Sequence, residues 1–291
     1  MSRREAPAAV RWTAYVAIAI VFAIACAFLS NWQFSRNAWR SDQLALVAAN
    51  YDAEPVPFAE AIPVGGTFQP GDEWMPVELR GSYLPDQQLL ARNRPHGGTS
   101  AFEVLVPFRL DDGRVFLVDR GWVRPGADQP DPDAVPPPPP GEATVVVRLR
   151  PGEGLPRSGR ETAPEGQVPT INLPLVAAVV DPQNDSPLEQ TAYGQLVSED
   201  PAPGALPEPL DAPSEDPGPY LSYAVQWILF AVMGFIFIGY VIRTERRHRR
   251  EDAEDTAEDD PTESAQPRAA ASRRRDRDAE DEDALLDAAG R

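Results

Sequence analysis

Residues 12–29 read WTAYVAIAIVFAIACAFL, and residues 221–242 read LSYAVQWILFAVMGFIFIGYVI. Neither stretch contains a charged side chain. Each is long enough, as a helix, to cross a bilayer core, which takes roughly 20 residues. Trp12 and Tyr15 stand near one end of the first stretch, and Tyr220, Tyr223, Trp227 and Tyr240 stand around the second. Amphipathic rings favour such positions at the membrane–water boundary. Arg3, Arg4 and Arg11 precede the first stretch; Arg243, Arg246, Arg247, Arg249 and Arg250 follow the second. Basic flanks stay in the cytoplasm. The predicted organisation is therefore a cytoplasmic N-terminus (1–11), a span (12–29), an extracytoplasmic domain (30–220), a second span (221–242) and a charged cytoplasmic tail (243–291). An alternative reading of the first stretch is a signal peptide cut at the small-x-small site Ala25-Cys26-Ala27, or lipidation at Cys26. Ala23 stands where a lipobox prefers Leu, and the apolar run exceeds the about 7–15 residues of a signal core.

The chain has 291 residues and a formal net charge of -18, from 45 acidic and 27 basic side chains. Every basic residue is Arg. So acidic a chain excludes nucleic acid as a ligand, because phosphate binding needs a basic surface. Cys26 is the single cysteine, which excludes an intramolecular disulfide and a cysteine metal site. The outer segment, about 190 residues long, must fold on its apolar core alone, and that length suffices.

Within it, residues 31–50 show helical spacing, with Trp32, Leu44, Leu46 and Val47 among the apolar positions, and continue or follow the first span. Met75–Tyr83 alternates with period two. Gln88–Ala91, Phe102–Phe108, Val115–Val118 and Ala143–Leu149 read as further strands. Asp111-Asp112-Gly113 marks a hairpin turn. Leu173–Val180 reads as a short helix with Pro174 in its first turn. The fold class predicted is an α+β membrane protein, two transmembrane helices flanking a β-rich small barrel or sandwich. Pro125–Pro140 reads as a stiff surface loop or a docking segment. Glu199–Pro219 reads as an acidic, proline-rich linker. The tail from Glu251 cannot bury a core and is expected to be disordered, with a brief partner-induced helix conceivable at Glu280–Leu286.

Catalytic signals are sparse. No nucleophile elbow, phosphate loop or dinucleotide fingerprint occurs. His248 lies in the arginine-rich flank, and His96 lies in Arg92-Asn93-Arg94-Pro95-His96-Gly97-Gly98. Asp119, before Arg120-Gly121-Trp122, is expected to hold an arginine rather than act as a base. Arg80, Arg92, Arg94, Arg120 and Arg124 fall at predicted strand ends. A guanidinium fork fits carboxylates bidentately. The set therefore serves either internal ion pairs or a ligand, or partner face, that carries carboxylates.

At these residues the chain resembles the SURF1 family of cytochrome c oxidase assembly factors. The resemblance rests on five elements in order: Trp32-Gln33-Phe34-Ser35-Arg36 with Arg40; Gly81-Ser82-Tyr83; Asn93-Arg94 with Gly97-Gly98 and Val104–Pro107; Val118-Asp119-Arg120-Gly121-Trp122-Val123; and Tyr223-Ala224-Val225-Gln226-Trp227. They cover about residues 12–242, leaving out the tail and the proline insert, with Arg40 standing where the family usually has Lys. The resemblance implies a non-enzymatic factor in a bacterial plasma membrane, both termini cytoplasmic. It would assist delivery of haem A to, or maturation of, the catalytic subunit of an aa3-type oxidase. Haem A is the implied cofactor, transiently held. Oxidase subunit I, or its assembly intermediates, and the lipid bilayer are the implied partners. Tyr220, His96, Arg94, Arg120, Trp122, Gln226 and Trp227 are the implied cofactor contacts, with the arginines facing propionates or acidic oxidase loops. Haem-binding members carry a histidine three residues before the tyrosine of the last element, where this chain has Tyr220. Tyrosine also ligates haem iron in some proteins. Gly234 and Gly239 would let the second span approach another helix closely. A haem-free scaffold, an extracytoplasmic sensor and an anchored hydrolase are the rival readings.

Overall fold

The computed structural model describes residues 8–96, 98–180 and 187–258. Residues 1–7 with Arg3 and Arg4, Gly97, and the tail from 259 with its candidate helix at Glu280–Leu286 lie outside them. In chain order the elements are α1 (Ala8–Asn50), β1 (Val56–Pro57), α2 (Phe58–Ala61), β2 (Pro76–Tyr83), β3 (Leu89–His96), β4 (Thr99–Leu110), β5 (Val115–Val123), β6 (Glu142–Pro151), β7 (Gln167–Val168), α3 (Leu173–Val180), β8 (Ala192–Asp200) and α4 (Tyr220–Glu258). They form two compact units, one of residues 27–228 and one of residues 1–26 with 229–291.

The two apolar stretches lie in α1 and α4. Ile18, Val21, Ile24, Phe28, Ile236 and Phe237 are all more than 60% exposed. A helix of a soluble protein turns such residues to its core, whereas these suit the hydrocarbon of a bilayer. The protein is a membrane protein with an α+β fold. α1 runs unbroken past the predicted span to Asn50, and Cys26 is buried within it. α4 continues beyond Ile242 to Glu258, so the segment from 243, predicted as disordered tail, begins as helix. Carboxylates one turn away from arginines explain this: Glu251 accepts from Arg247 at 2.8 Å, and Glu245 from Arg249 at 3.3 Å.

In the 27–228 unit the strands form one mixed sheet in the order β1-β2-β6-β8-β5-β4-β3-β7. A further β2–β4 pairing joins Gly81–Tyr83 to Phe108–Leu110 and closes β2, β6, β8, β5 and β4 into a small barrel. Gly81 makes closure possible. Its φ is +148°, and a Cβ there would lie 2.0 Å from the Arg109 carbonyl oxygen. The barrel encloses Val77, Leu79, Val104, Val106, Phe108, Phe116 and Val145. A second core, with Leu105, Leu117, Ile171, Leu173 and Val176, packs under α3.

β8 was not predicted as a strand: it holds Gly194 and ends in acidic residues. Gly194 is required there because a Cβ would lie 2.4 Å from Val147. Glu199 and Asp200, assigned to a linker by sequence, are the last residues of β8. The rest of that linker is pinned too, for Glu208 and Trp122 exchange both backbone hydrogen bonds, at 2.8 and 2.9 Å. The proline loop is largely exposed and is anchored at its end, where Pro138 and Pro139 are buried.

Arg120 points into the barrel. Its Nε and Nη2 donate to the two oxygens of Glu199 at 2.7 and 3.0 Å, and Nη1 donates to the Pro136 carbonyl at 2.9 Å. The Tyr83 hydroxyl donates to the same carboxylate at 2.6 Å. Both charged side chains are essentially unexposed, at 0% and 1%. Removing one partner of such a pair strands the other charge in a dry core. Arg120→Leu should therefore cost about 3–5 kcal/mol in denaturant unfolding, and Arg120→Leu with Glu199→Leu should recover most of it. A double variant as unstable as the single one would show that the pair is not what matters.

Candidate functional site

Two bulges on neighbouring strands build the main polar cluster. Ala91 opposes Glu103 and Arg94 opposes Ala101, so β3 carries one extra residue there. Asn93 absorbs it at a φ of 60°. Directly opposed residues share a sheet face, so the insertion turns Arg94 and His96 to the face of Ala91 and Glu103. On β5, Trp122 opposes Glu103 while Asp119 opposes Leu105, again one extra residue. Gly121 takes it up at a φ of +120°, with the Glu208 carbonyl 2.4 Å from where a Cβ would sit. Arg120 thus enters the barrel, while Asp119 and Trp122 share the opposite face.

On that face Glu103 is almost fully buried. His96 Nε2 donates to its Oε1 at 2.8 Å, and Arg94 Nε lies 2.6 Å from its Oε2. The fork of Arg94 grips Glu153 at 3.0 and 2.7 Å. Glu153 also accepts from the Thr170 hydroxyl and from the Ile171 amide. Burial alone would raise the Glu153 carboxyl, but the bonds from Arg94 and Thr170 hold it below the usual range. The His96 ring stacks on Trp122, with centroids 5.4 Å apart and planes 11° from parallel. Trp122 Nε1 donates to the Pro209 carbonyl at 3.0 Å.

Asp119 is fully buried and differs in kind. Its Oδ1 accepts from the Gly121 amide at 3.1 Å, and its Oδ2 has no partner. Burial first, and the negative charge of Glu103 next, push its carboxyl well above the usual range. The cluster thus holds the Arg94 cation between two carboxylates, with the buried carboxyl of Asp119 beside them. Among the described residues no group of His, Cys, Asp and Glu is placed to hold a metal ion.

Of the residues singled out in the sequence, Arg94, His96 and Trp122 come together here. Arg120 lies on the other face, sealed by Glu199, so it is a structural residue and offers nothing to a ligand. Asp119 is expected from sequence to hold an arginine, but among the described residues it forms no ion pair, and the neighbouring Arg120 is held by Glu199. Arg80 pairs with Glu78 on the surface at 2.8 Å. The exposed Arg124 lies 5.9 Å from the Trp122 ring.

Tyr220, Gln226 and Trp227 belong to a second, helical site in the same unit. Tyr220 opens α4, half-buried; Trp227 lies two turns on along the same face, and Gln226 is exposed. The guanidinium of Arg36 on α1 lies 5.8 Å from the Tyr220 ring and 5.7 Å from the Trp39 ring. Arg36 is exposed and has no carboxylate partner among the described residues. One turn on, Arg40 donates to the carbonyls of Ser214 and Asp216 at 2.6 and 2.9 Å, tying the approach to α4 against α1. Ser30 donates to the Ala224 carbonyl at 2.9 Å. Glu103, Glu153 and Arg36 were not singled out as contacts. A lone carboxylate in the apolar run of β4 was a usable signal for Glu103. Nothing in the local sequence marks Glu153.

The SURF1 family model matches residues 20–232. SURF1-like proteins of Mycobacterium tuberculosis (strain H37Rv) and Mycobacterium bovis are each 37% identical over 242 residues, covering 82% of this chain and 86% of theirs. The cytochrome oxidase assembly protein SHY1 of Saccharomyces cerevisiae is 27% identical over 107 residues, covering 36% of this chain and 26% of that protein.

The buried acid gives the domain a pH signature. An unfolded aspartate ionises near about 3.9, whereas in the fold the neutral form of Asp119 persists to higher pH. Stability conferred by the protonated state is present below the unfolded value and is lost as pH rises toward the folded one. Asp119→Asn keeps the acceptor for Gly121 and removes the titration. It should leave Tm unchanged near pH 4 and raise it at pH 7–8, measured by thermal unfolding. A variant that loses stability with rising pH as steeply as the parent would exclude Asp119 as the cause.

Proposed function

We propose, because the chain belongs to the SURF1 family, that it is a non-enzymatic assembly factor for an aa3-type cytochrome c oxidase, acting where haem A reaches the catalytic subunit. The yeast relative carries cytochrome oxidase assembly in its name. The membrane is a bacterial plasma membrane. Arg11 on α1 and Arg249 on α4 share the carboxylate of Glu245. The two basic flanks therefore sit together, and the positive-inside preference puts that end in the cytoplasm. Residues 30–220 then lie outside, facing oxidase subunit I or its assembly intermediates.

The observation that carries the haem reading is the exposed Arg36 guanidinium beside Tyr220, with no carboxylate partner among the described residues. Haem A is apolar and bears two propionates. Such a cargo needs a cation at the polar edge of the membrane, and charge-assisted bonds from a guanidinium are the strong kind. Tyr220 offers a phenol oxygen at the same place, an accepted haem-iron ligand. The donor set fits the group. Trp227, two turns along the same face, supplies apolar contact, and Gln226 an exposed amide. His96, Arg94 and Trp122 are satisfied by one another and by Glu103 and Glu153, so in this reading they shape the domain that presents the cargo. A haem-free scaffold is the second reading, favoured by tyrosine standing where haem-binding relatives have histidine.

The test is a reduced-minus-oxidised spectrum of membranes from a strain lacking the protein. The a-type signal should fall while b- and c-type signals persist; an unchanged a-type signal with normal oxidase activity sinks the assembly role. Purified protein should carry haem A. Arg36→Ala should weaken its retention roughly ten- to hundredfold, the loss of one charge-assisted bond of about 1.5–3 kcal/mol. Tyr220→Phe should alter the spectrum of the bound haem. Protein without haem that still restores the oxidase supports the scaffold.

A further inference from the structure

We propose that the hollow at the charged end of α4 binds the phosphate headgroup of an anionic phospholipid. This inference stands apart from the haem reading and rests on the unit of residues 1–26 and 229–291. The hollow has a volume of about 560 Å³ and is lined by Gly239, Ile242 and four arginines, Arg243, Arg246, Arg247 and Arg250, with one carboxylate, Glu251, at its edge. Arg243, Arg246 and Arg250 are spaced three and four apart, so they stand on one helix face.

Carboxylates take up the other arginines of this end. Arg11 and Arg249 reach Glu245, and Arg247 pairs with Glu251 at 2.8 Å. Among the described residues, Arg243, Arg246 and Arg250 have no carboxylate partner. Arg246 lies instead over the Trp12 ring at 4.7 Å. The Nε1 of Trp12 donates to Glu245 at 2.8 Å, which holds the ring against α4. The indole therefore positions Arg246 without neutralising it.

Three guanidiniums with no carboxylate partner among the described residues, around one hollow whose Glu251 is engaged by Arg247, suit a phosphate, to which they can donate bidentately. The hollow begins on the uncharged span. Gly239 has nothing within 4 Å of where its Cβ would sit, and Ile242 is apolar. An acyl chain has room there, running along the span while its phosphate meets the arginines. A free phosphate would have no use for that floor. Charge complementarity and the place of the arginines directly beyond an apolar span select an anionic lipid as the occupant.

The experiment uses the full chain in neutral detergent, titrated with dioctanoyl phosphatidylglycerol or dioctanoyl phosphatidylcholine, bound lipid being counted by native mass spectrometry. Phosphatidylglycerol should bind at least ~10-fold more tightly. A basic residue near an anionic surface contributes roughly a fivefold preference, so Arg243→Gln/Arg246→Gln/Arg250→Gln should weaken that binding on the order of 100-fold. The triple Arg→Lys variant should retain most of it. Arg157→Gln/Arg160→Gln, on the exposed surface of the sheet domain, should change nothing, and helix content by circular dichroism should match throughout. The proposal is overturned if the two lipids bind equally, as they will if the chain's own acidic run after Glu251 fills the hollow. It is also overturned if the triple Gln variant binds normally, or if glycerol 3-phosphate binds as tightly as the lipid, which would make this a site for a soluble anion.

Discussion

The backbone between Asp119 and Trp122 carries one residue more than the stretch of β4 opposite it, and Gly121 absorbs the distortion. Strand β5 is thereby divided between two environments. Arg120 enters the barrel, where Glu199, Tyr83 and Pro136 close around it. Asp119 and Trp122 stay on the outer face with His96, Arg94 and Glu103. The missing Cβ of Gly121 also lets residues 207–209 approach β5 closely enough to exchange hydrogen bonds with Trp122. A side chain at that position would disturb the barrel ion pair, the outer polar cluster and the docked linker together. Bulges commonly re-aim side chains beside functional sites, and here two of them, at Asn93 and Gly121, converge.

Charge is handled differently in each place. The domain is acidic, yet its buried carboxylates are matched. Glu199 has Arg120, while Glu103 and Glu153 share Arg94. Asp119 has no ion-pair partner among the described residues, and burial together with the charge of Glu103 shifts it toward its protonated form. Burying a charge is costly unless it is paired and hydrogen-bonded. Four arginines without a carboxylate partner among the described residues are at exposed positions: Arg36 beside Tyr220, and Arg243, Arg246 and Arg250 beyond the second apolar stretch. Those are the places where a carboxylate or a phosphate from outside can complete the pairing.

In the sheet domain Glu103, Glu153 and Glu199 are engaged by Arg94, His96 and Arg120, while Arg36 on the first long helix stands exposed. Within residues 27–228, Arg40 and Ser30 of α1 bind the backbone leading into and opening α4.

Much of this was legible in the sequence because it depends on local pattern. Two uncharged runs of spanning length read as membrane helices without further information. Period-two alternation located Met75–Tyr83 and Ala143–Leu149, and Asp111-Asp112-Gly113 gave the hairpin between β4 and β5. Leu173–Val180 was readable as a helix from its length and from proline at its start. The family elements were readable as well, though not their purposes. That Gly81 closes a barrel, and that Gly121 splits β5 between two cores, depends on a strand or loop distant in sequence coming within van der Waals contact. β8 escaped notice because Gly194 and its acidic end speak against a strand, and only Val147 across the sheet explains them. The arginines show the limit most plainly. By composition they were one set, but tertiary contacts sealed Arg120 inside, spent Arg94 on Glu103 and Glu153, and left Arg36 open. A charged residue's role is set by which opposite charge reaches it across the fold, and the linear order of residues does not encode that distance.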